Sequence, residues 1–367
     1  MRRLKKKLVL AVMLLISVML AGCQNSNTNT SETKSVQEEE TSKASAETTR
    51  VFTDSAGREV ILPEEIHKIA PSGPLAQIVL YTVAPDKLSG RASDFSEDAK
   101  VYIDEKYWGL PKFGQFYGKN ANLNMEALIA AQPDVIVDIG EAKKTIKEDM
   151  DALQEQLGIP VVFVEADLDT MSSAYKMLGE LTGETTQAEK LSDSCDSILQ
   201  KAEAAKGSIG TEQKKSVYFA TGEDGLHTNA EGSIHARVIE EIGAENAAKV
   251  EQASGGGGSE VSMEQLLLWQ PDIILADSDA LYHTITTDPV WGEINAVKEG
   301  HVYQIPSAPY SFMSNPPSVN RMIGILWLGN LVYPQQYEGD IKEEVKSFYD
   351  LFYHVQLSEE QIESILE

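Results

Sequence analysis

Glu126 and Glu264 hold the same place in two copies of one pattern. NLNMEALIAAQPDVIVDIG at 122–140 and EVSMEQLLLWQPDIILADS at 260–278 align without a gap, 138 residues apart, and agree at seven of nineteen positions. Two matched carboxylates can neutralise two matched cations. Each also falls in what reads as a first helical turn, where the helix dipole favours an anion, so a purely local role accounts for the residue type equally well. His227 in TGEDGLHTN and His283 in ALYHT lie near acids. They could serve a metal, but two ligands fall short of the usual three or four, and a turn and a helix start explain them too. Arg91 in KLSGRASD could clamp an anion or pair with Asp94. No G-x-S-x-G elbow, H-E-x-x-H or P-loop occurs, and SGGGGS at 254–259 lacks the glycine spacing of a phosphate loop. The chemistry on offer is binding, and no enzyme is expected, with a surface lipoprotein hydrolase as the distant alternative.

The elements that must position these residues follow from local pattern. Asn124 and Ser262 are N-cap types ahead of Met and Leu at helical spacing. Pro133 and Pro271 end each helix, because proline disfavours helical geometry in its predecessor. Val-Ile-Val and Ile-Ile-Leu follow as short apolar runs, the mark of strands buried on both faces of a parallel sheet. Each copy therefore reads as helix, turn and buried strand. A repeat at so long a period is too widely spaced for a solenoid and points to two similar lobes.

The rest of the chain fits around this pair. RVFTDSAGREVILP at 50–63 reads as a hairpin, and strands are expected at 67–72, 87–93, 134–140 and 159–166, with helices at about 74–82 and 142–157. From 170 to about 206 the pattern is helical, with Gly183 as a break or bend, and Cys195 sits in it as a small packed hydrophobe. Further strands are expected at 214–222, 271–278 and 301–307, then helices at about 317–332, 338–353 and 358–366. The fold class is α/β: two parallel-sheet lobes joined by one long rigid helix.

Residues 1–22 pair a basic start, MRRLKKK, with a 13-residue apolar run, and LAGC at 20–23 resembles a bacterial lipobox. That resemblance implies a signal peptide at 1–22 and a diacylglyceryl thioether on Cys23, whose two acyl chains suffice for stable anchoring. Residues 23–50 hold almost no large apolar side chain and read as a disordered tether. The lobes are then 51–167 and 208–367, the connecting helix 168–207. Net charge is −26, and removing the leader with its five basic residues makes it −31, which excludes nucleic acid as a partner.

VFTDSAGREVILPEEIHKIAP at 51–71, the N-L-x-M-E-A-L and S-M-E-Q-L repeats each followed by Q-P-D, and DPVWGEINAVKEGHVYQIP at 288–306 resemble the substrate-binding lipoproteins of iron-complex ABC importers. The resemblance spans about 50–333. It implies that Glu126 and Glu264 form salt bridges with arginines of a membrane permease, that a separate ATPase drives import, and that the chain works outside the cytoplasm, held to the cell membrane by its lipid. It also implies a monomer without a resident cofactor. The transported ligand would be an iron chelate of siderophore type, with haem, a corrinoid, nickel or a molybdate-type oxyanion as alternatives, held in the cleft between the lobes; whether metal is bound directly stays open. Ligands of parallel sheets lie outside the carboxyl ends of strands, which makes Ser72, Gly73, Arg91, Asp94, Gly140, Glu141, Glu223, His227, Tyr282, His283 and Tyr310 the candidates. Family members commonly place an aromatic residue in the stretch before the first paired helix, which selects Tyr117. Arg321 reads as a pin between its helix and the body, and His67, His235, His301 and His354 as structural.

Overall fold

The computed structural model describes residues 48–251 and 258–366. The leader, Cys23, most of the tether and most of the SGGGGS loop lie outside the described residues. Strands β1 (Thr49–Thr53) and β2 (Glu59–Pro63) form the expected hairpin. Arg50, assigned to the tether, is already in β1 opposite Leu62. Asp54 closes the turn by accepting from the amides of Ala56 and Arg58. The buried Arg58 guanidinium then staples the hairpin to the first lobe through Asp54, Asp151 and the Val161 carbonyl.

The first lobe is built on a parallel sheet in the order β3 (Ile69–Pro71), β4 (Val135–Gly140), β5 (Val161–Glu165). Its helices are α1 (Pro74–Val83), α2 (Met125–Ala131) and α3 (Ile146–Leu157). Alternate residues of β4 serve different layers. Val135, Val137 and Ile139 join the main core with α1, while Ile136 packs with Phe116, Met150 and Phe163 beneath α3. Such two-sided burial is why the run contains so little polar character.

The strand expected at 87–93 does not form. Its backbone bonds to β3 through Ser89 and then switches to the 111–113 segment through Arg91. The Phe113 ring lies against Gly90, where a Cβ would come within 2.2 Å of it, and this close approach diverts the chain.

The single connecting helix expected over 168–207 is two helices, α4 (Met171–Thr182) and α5 (Thr185–Ser208). Gly183 separates them in the left-handed conformation at φ +80°, which a glycine adopts without strain. The 24-residue α5, about 36 Å long, is the connector proper. It packs on α1 and α4 of the first lobe and on elements of the second. Cys195 is buried in it, and burial pushes its thiol pKa up.

The second lobe carries β6 (Ser216–Ala220), β7 (His227–Thr228), α6 (Arg237–Glu241), β8 (Glu245–Asn246), β9 (Ser259–Glu260), α7 (Met263–Trp269), β10 (Ile273–Ala276), α8 (Asp279–Thr287), α9 (Asn295–Lys298) and β11 (Val302–Gln304). Its main sheet is parallel, in the order β11-β10-β6-β8. Helices α10 (Asn320–Val332), α11 (Ile341–Phe348) and α12 (Glu359–Leu366) finish the chain, with a π-helical turn at Tyr349–Tyr353 after α11. That turn reaches back to the first lobe. The Tyr349 ring meets Tyr102 edge-on, Phe352 meets Tyr175, and Gln187 of α5 donates to the Leu351 carbonyl. One continuous apolar core therefore includes residues of both lobes, among them Val137, Leu191, Phe219, Ile239 and Ile325.

Candidate functional site

The two copies of the repeat fold alike. The Asn124 side chain accepts from the Ala127 amide, and Ser262 accepts from Gln265 in the same way. Both helices stop at a glutamine in the left-handed region, Gln132 at φ 50° and Gln270 at φ 43°. Leu128 and Leu266 are wholly buried and bind their helices to their lobes. Glu126 and Glu264 point the other way and are exposed. Neither makes an ion pair with a described residue, although eighteen such pairs occur elsewhere in the described structure.

At the carboxyl end of the first sheet, three candidate residues meet around one that the pattern hid. Asp138 of β4 is only 2% exposed. Ser72, just after β3, donates its hydroxyl to one oxygen, and the Tyr117 hydroxyl lies 2.6 and 2.7 Å from the two oxygens. Gly140 stands two residues on along the same face. Burial raises the Asp138 pKa, opposed by the two hydroxyls and by Lys143. Burial and the same carboxylate raise the Tyr117 hydroxyl well above its ordinary value. A cavity of about 470 Å³ opens here between β4 and α3, with Tyr117, Asp138, Lys143 and Asp149 around an apolar floor of Phe116 and Met150. An acid inside a run buried on both faces was the available signal, since lone buried charges are rare.

Across the seam, loops of the first lobe meet arginines of the second. Arg321 on α10 is wholly buried. Its Nη1 forms an ion pair with Asp167, just beyond β5, at 2.9 Å from Oδ1. The same side chain donates to the carbonyls of Ile234 and Ser318, while Nη2 has no partner among the described residues. Arg237 spans the seam too, 2.9 Å from Asp169 and 2.8 Å from Glu241. His235 Nδ1 lies 2.6 Å from Ser314 Oγ, and burial followed by the Arg321 charge lowers the imidazole pKa. Sequence reasoning singled out neither Arg237 nor His235 for this seam. Tyr310 reaches it from the loop after β11, packed on Tyr353, and burial raises its hydroxyl pKa against the opposing effect of Gln77 of α1.

The remaining candidates stand apart from this cluster. Arg91 is taken up by Asp94 and by the Leu110 carbonyl, and Lys112 lies 2.5 Å from the same Asp94. Gly73 caps α1 with its side-chain-free backbone against Gln115. Glu223 is exposed, and His227 in β7 sits 3.7 Å from Asp224. Tyr282 and His283 lie exposed on α8. The described His, Cys, Asp and Glu side chains form no cluster of three or more able to hold a metal.

A profile of periplasmic binding proteins matches residues 114–309, more than half of the chain and both copies of the repeat. The chain belongs to the periplasmic binding protein family. This periplasmic binding protein is 25% identical over 344 residues to YvrC of Bacillus subtilis, described as an uncharacterized ABC transporter substrate-binding lipoprotein, with 91% of this chain and 99% of the relative covered. It is 23% identical over 335 residues to the molybdate-binding protein MolA of Haemophilus influenzae, covering 83% and 91%. An ABC transporter solute binding protein from Sulfurospirillum deleyianum superposes with a TM-score of 0.79 at 28% identity, covering 86% of this chain and 98% of the other. The two-lobed α/β fold and a substrate-binding role follow from membership. The match contains Tyr117, Asp138 and His235, while Ser72, Tyr310 and Arg321 lie outside it.

Proposed function

We propose that this binding protein is the lipid-anchored, extracytoplasmic receptor of an ABC importer. In this reading it captures an iron complex at the seam between its lobes and presents it to a membrane permease, with a separate ATPase driving uptake. The observation that carries the receptor reading is the equivalence of Glu126 and Glu264. Both are exposed and pair with no described residue, and both sit one residue into helices that open on a side-chain N-cap and close on a left-handed glutamine. A receptor built on a two-fold would present two equivalent cations to such a pair. Cys23 would carry the lipid.

The ligand reading draws on what surrounds the strand ends. Tyr117 and Tyr310 offer aromatic surface, Ser72 and Ser314 offer hydroxyls, and Arg237 and Arg321 offer charge for the anionic edge of a chelate. Arg91, Glu223, His227, Tyr282 and His283 remain part of the proposal as outer contacts from both lobes. The shared core and α5 support limited closure, because interleaved side chains resist sliding. A second reading, a bare oxyanion, is favoured by the Nη2 of the buried Arg321, which has no partner among the described residues and could serve one more oxygen.

A thermal-melt panel tests both readings with ferric siderophores, haem, a corrinoid, nickel and molybdate as probes. Ligand at a hundred times its Kd adds about 2.7 kcal/mol to stability, several degrees for a protein of this size. A saturable shift by a ferric chelate supports the main reading, and Arg321→Gln should reduce it. A shift with molybdate alone replaces it with the oxyanion reading.

A further inference from the structure

Leu268 is the most exposed large hydrophobic side chain among the described residues, at 83%, and Ile129, on the partner helix of the repeat, is exposed at 59%. Scattered exposed leucines are ordinary. These two are set apart by where they stand. Leu268 follows Glu264 by four residues and Ile129 follows Glu126 by three, so on α7 and α2 each shares a face with the repeated carboxylate. The wholly buried Leu266 and Leu128 occupy the opposite face. Val51 and Ile61, exposed at 63% and 66%, differ because they lie opposite each other on the β1–β2 hairpin, which carries neither carboxylate of the repeat.

We infer that the permease is held through an apolar contact beside each docking carboxylate, with Leu268 as the main anchor. This rests on the docking reading above and adds what the partner must look like: a basic side chain at each glutamate, with an apolar depression to one side of it at Glu264 and to the other side at Glu126. Charge complementarity selects that occupant. A surface that met only water would gain nothing from a leucine beside an acid, whereas a partner cation brought to Glu264 desolvates its neighbour as well. The two contacts are not identical. At 100° per residue, Leu268 lies roughly 40° to one side of its glutamate and Ile129 roughly 60° to the other. The residue at the Leu268 position in the first copy is Ala130, and the residue at the Ile129 position in the second is the half-buried Leu267. The charges therefore repeat and the apolar contacts do not, which gives the docked receptor an orientation on a two-fold partner.

The full-length chain is titrated onto its cognate permease, purified in detergent and immobilised, at about 0.1 and 1 M salt. Exposed ion pairs are screened at the higher concentration and apolar contacts are not. Leu268→Ser should weaken binding roughly ten- to hundredfold at both concentrations, Ile129→Ser less, and Leu268→Met should restore it. Because the side chain is exposed, the melting temperature should stay within a degree or two, which separates lost docking from lost fold. Wild-type affinity of Leu268→Ser in 1 M salt overturns the inference, and it leaves the docking reading standing if Glu126→Lys with Glu264→Lys abolishes binding. Wild-type binding by that double reversal sinks the docking reading itself. If Leu268→Ser changes only self-association in sedimentation, a second copy of the chain is the occupant and the inference fails.

Discussion

In the first lobe the paired helix α2 leads into β4, whose fourth residue is Asp138. In the second lobe α7 leads into β10, and Ala276 stands at the equivalent place. The helices keep a side-chain N-cap, a left-handed glutamine at the end, the same buried leucine and the same exposed glutamate. The strands that follow share only their apolar character. Asp138 is buried under the hydroxyls of Ser72 and Tyr117, while Ala276 is buried in a wholly apolar cluster with Tyr218 and Ile274. One frame thus carries a matched outer surface and unmatched strand ends. A docking surface must match its receptor twice, whereas a ligand without symmetry needs different groups from each lobe.

The sharpest way to break this comparison is to exchange the two residues. Ala276→Asp places a carboxylate in a hydrophobic cluster whose Tyr218 hydroxyl is already given to the Gly225 carbonyl, and should cost about 4 kcal/mol or more. Asp138→Ala removes the acceptor of two hydroxyls and should cost about 2–3 kcal/mol. Urea unfolding midpoints measure both. If Ala276→Asp proves the milder change, the second lobe has an unseen polar partner at that strand and the contrast is false.

A smaller effect should appear in the pH dependence of the first lobe alone. The folded Asp138 pKa is raised above its ordinary 3.8, chiefly by burial. Between the ordinary value and the raised one the native state binds more protons than the unfolded chain, so stability falls as pH rises through that window. Asp138→Asn cannot titrate. The stability of the wild type relative to this variant should decline as pH rises from about 3.8 and then level off above the folded pKa. A difference that stays flat or grows with pH would mean that the two hydroxyls outweigh burial. No comparable contribution is expected from Ala276.

How much of this was legible from residue order depends on the range over which each signal acts. Asn124, Ser262, Pro133 and Pro271 act within one turn of chain, and the helices they frame appear as read. The apolar runs of β4, β5, β6 and β10 gave their strands for the same reason. Gly183 was visible as a break, but its left-handed φ turns that break into a full separation of α4 from α5. KLSGRAS carries strand-like alternation that fails because the Phe113 ring, more than twenty residues away, occupies the face of Gly90. The functional groups were hardest to see. Asp138 meets Ser72 across 66 residues, and Arg321 meets Asp167 across an even longer stretch of chain. Neither spacing follows a local period, so the pairing of Asp138 with Tyr117 and Ser72 could not be read, although an acid inside the apolar run of β4 was itself visible.

The smallest effect sharpens the outer half of the comparison. Glu126→Lys and Glu264→Lys each reverse one charge in a first helical turn and disturb no ion pair with a described residue. The helix dipole alone should then set the cost, about 0.3–1 kcal/mol for each. Because both glutamates hold the second helical position and are exposed, the two costs should agree within about 0.5 kcal/mol, and because the sites lie on separate lobes they should add in the double variant. Thermal or urea unfolding measures this without any permease. A cost above about 1.5 kcal/mol at one site but not the other would mean that one glutamate holds its own lobe together. Equal and small costs leave both carboxylates free of any structural task, and their exposure is then best explained by something outside the chain.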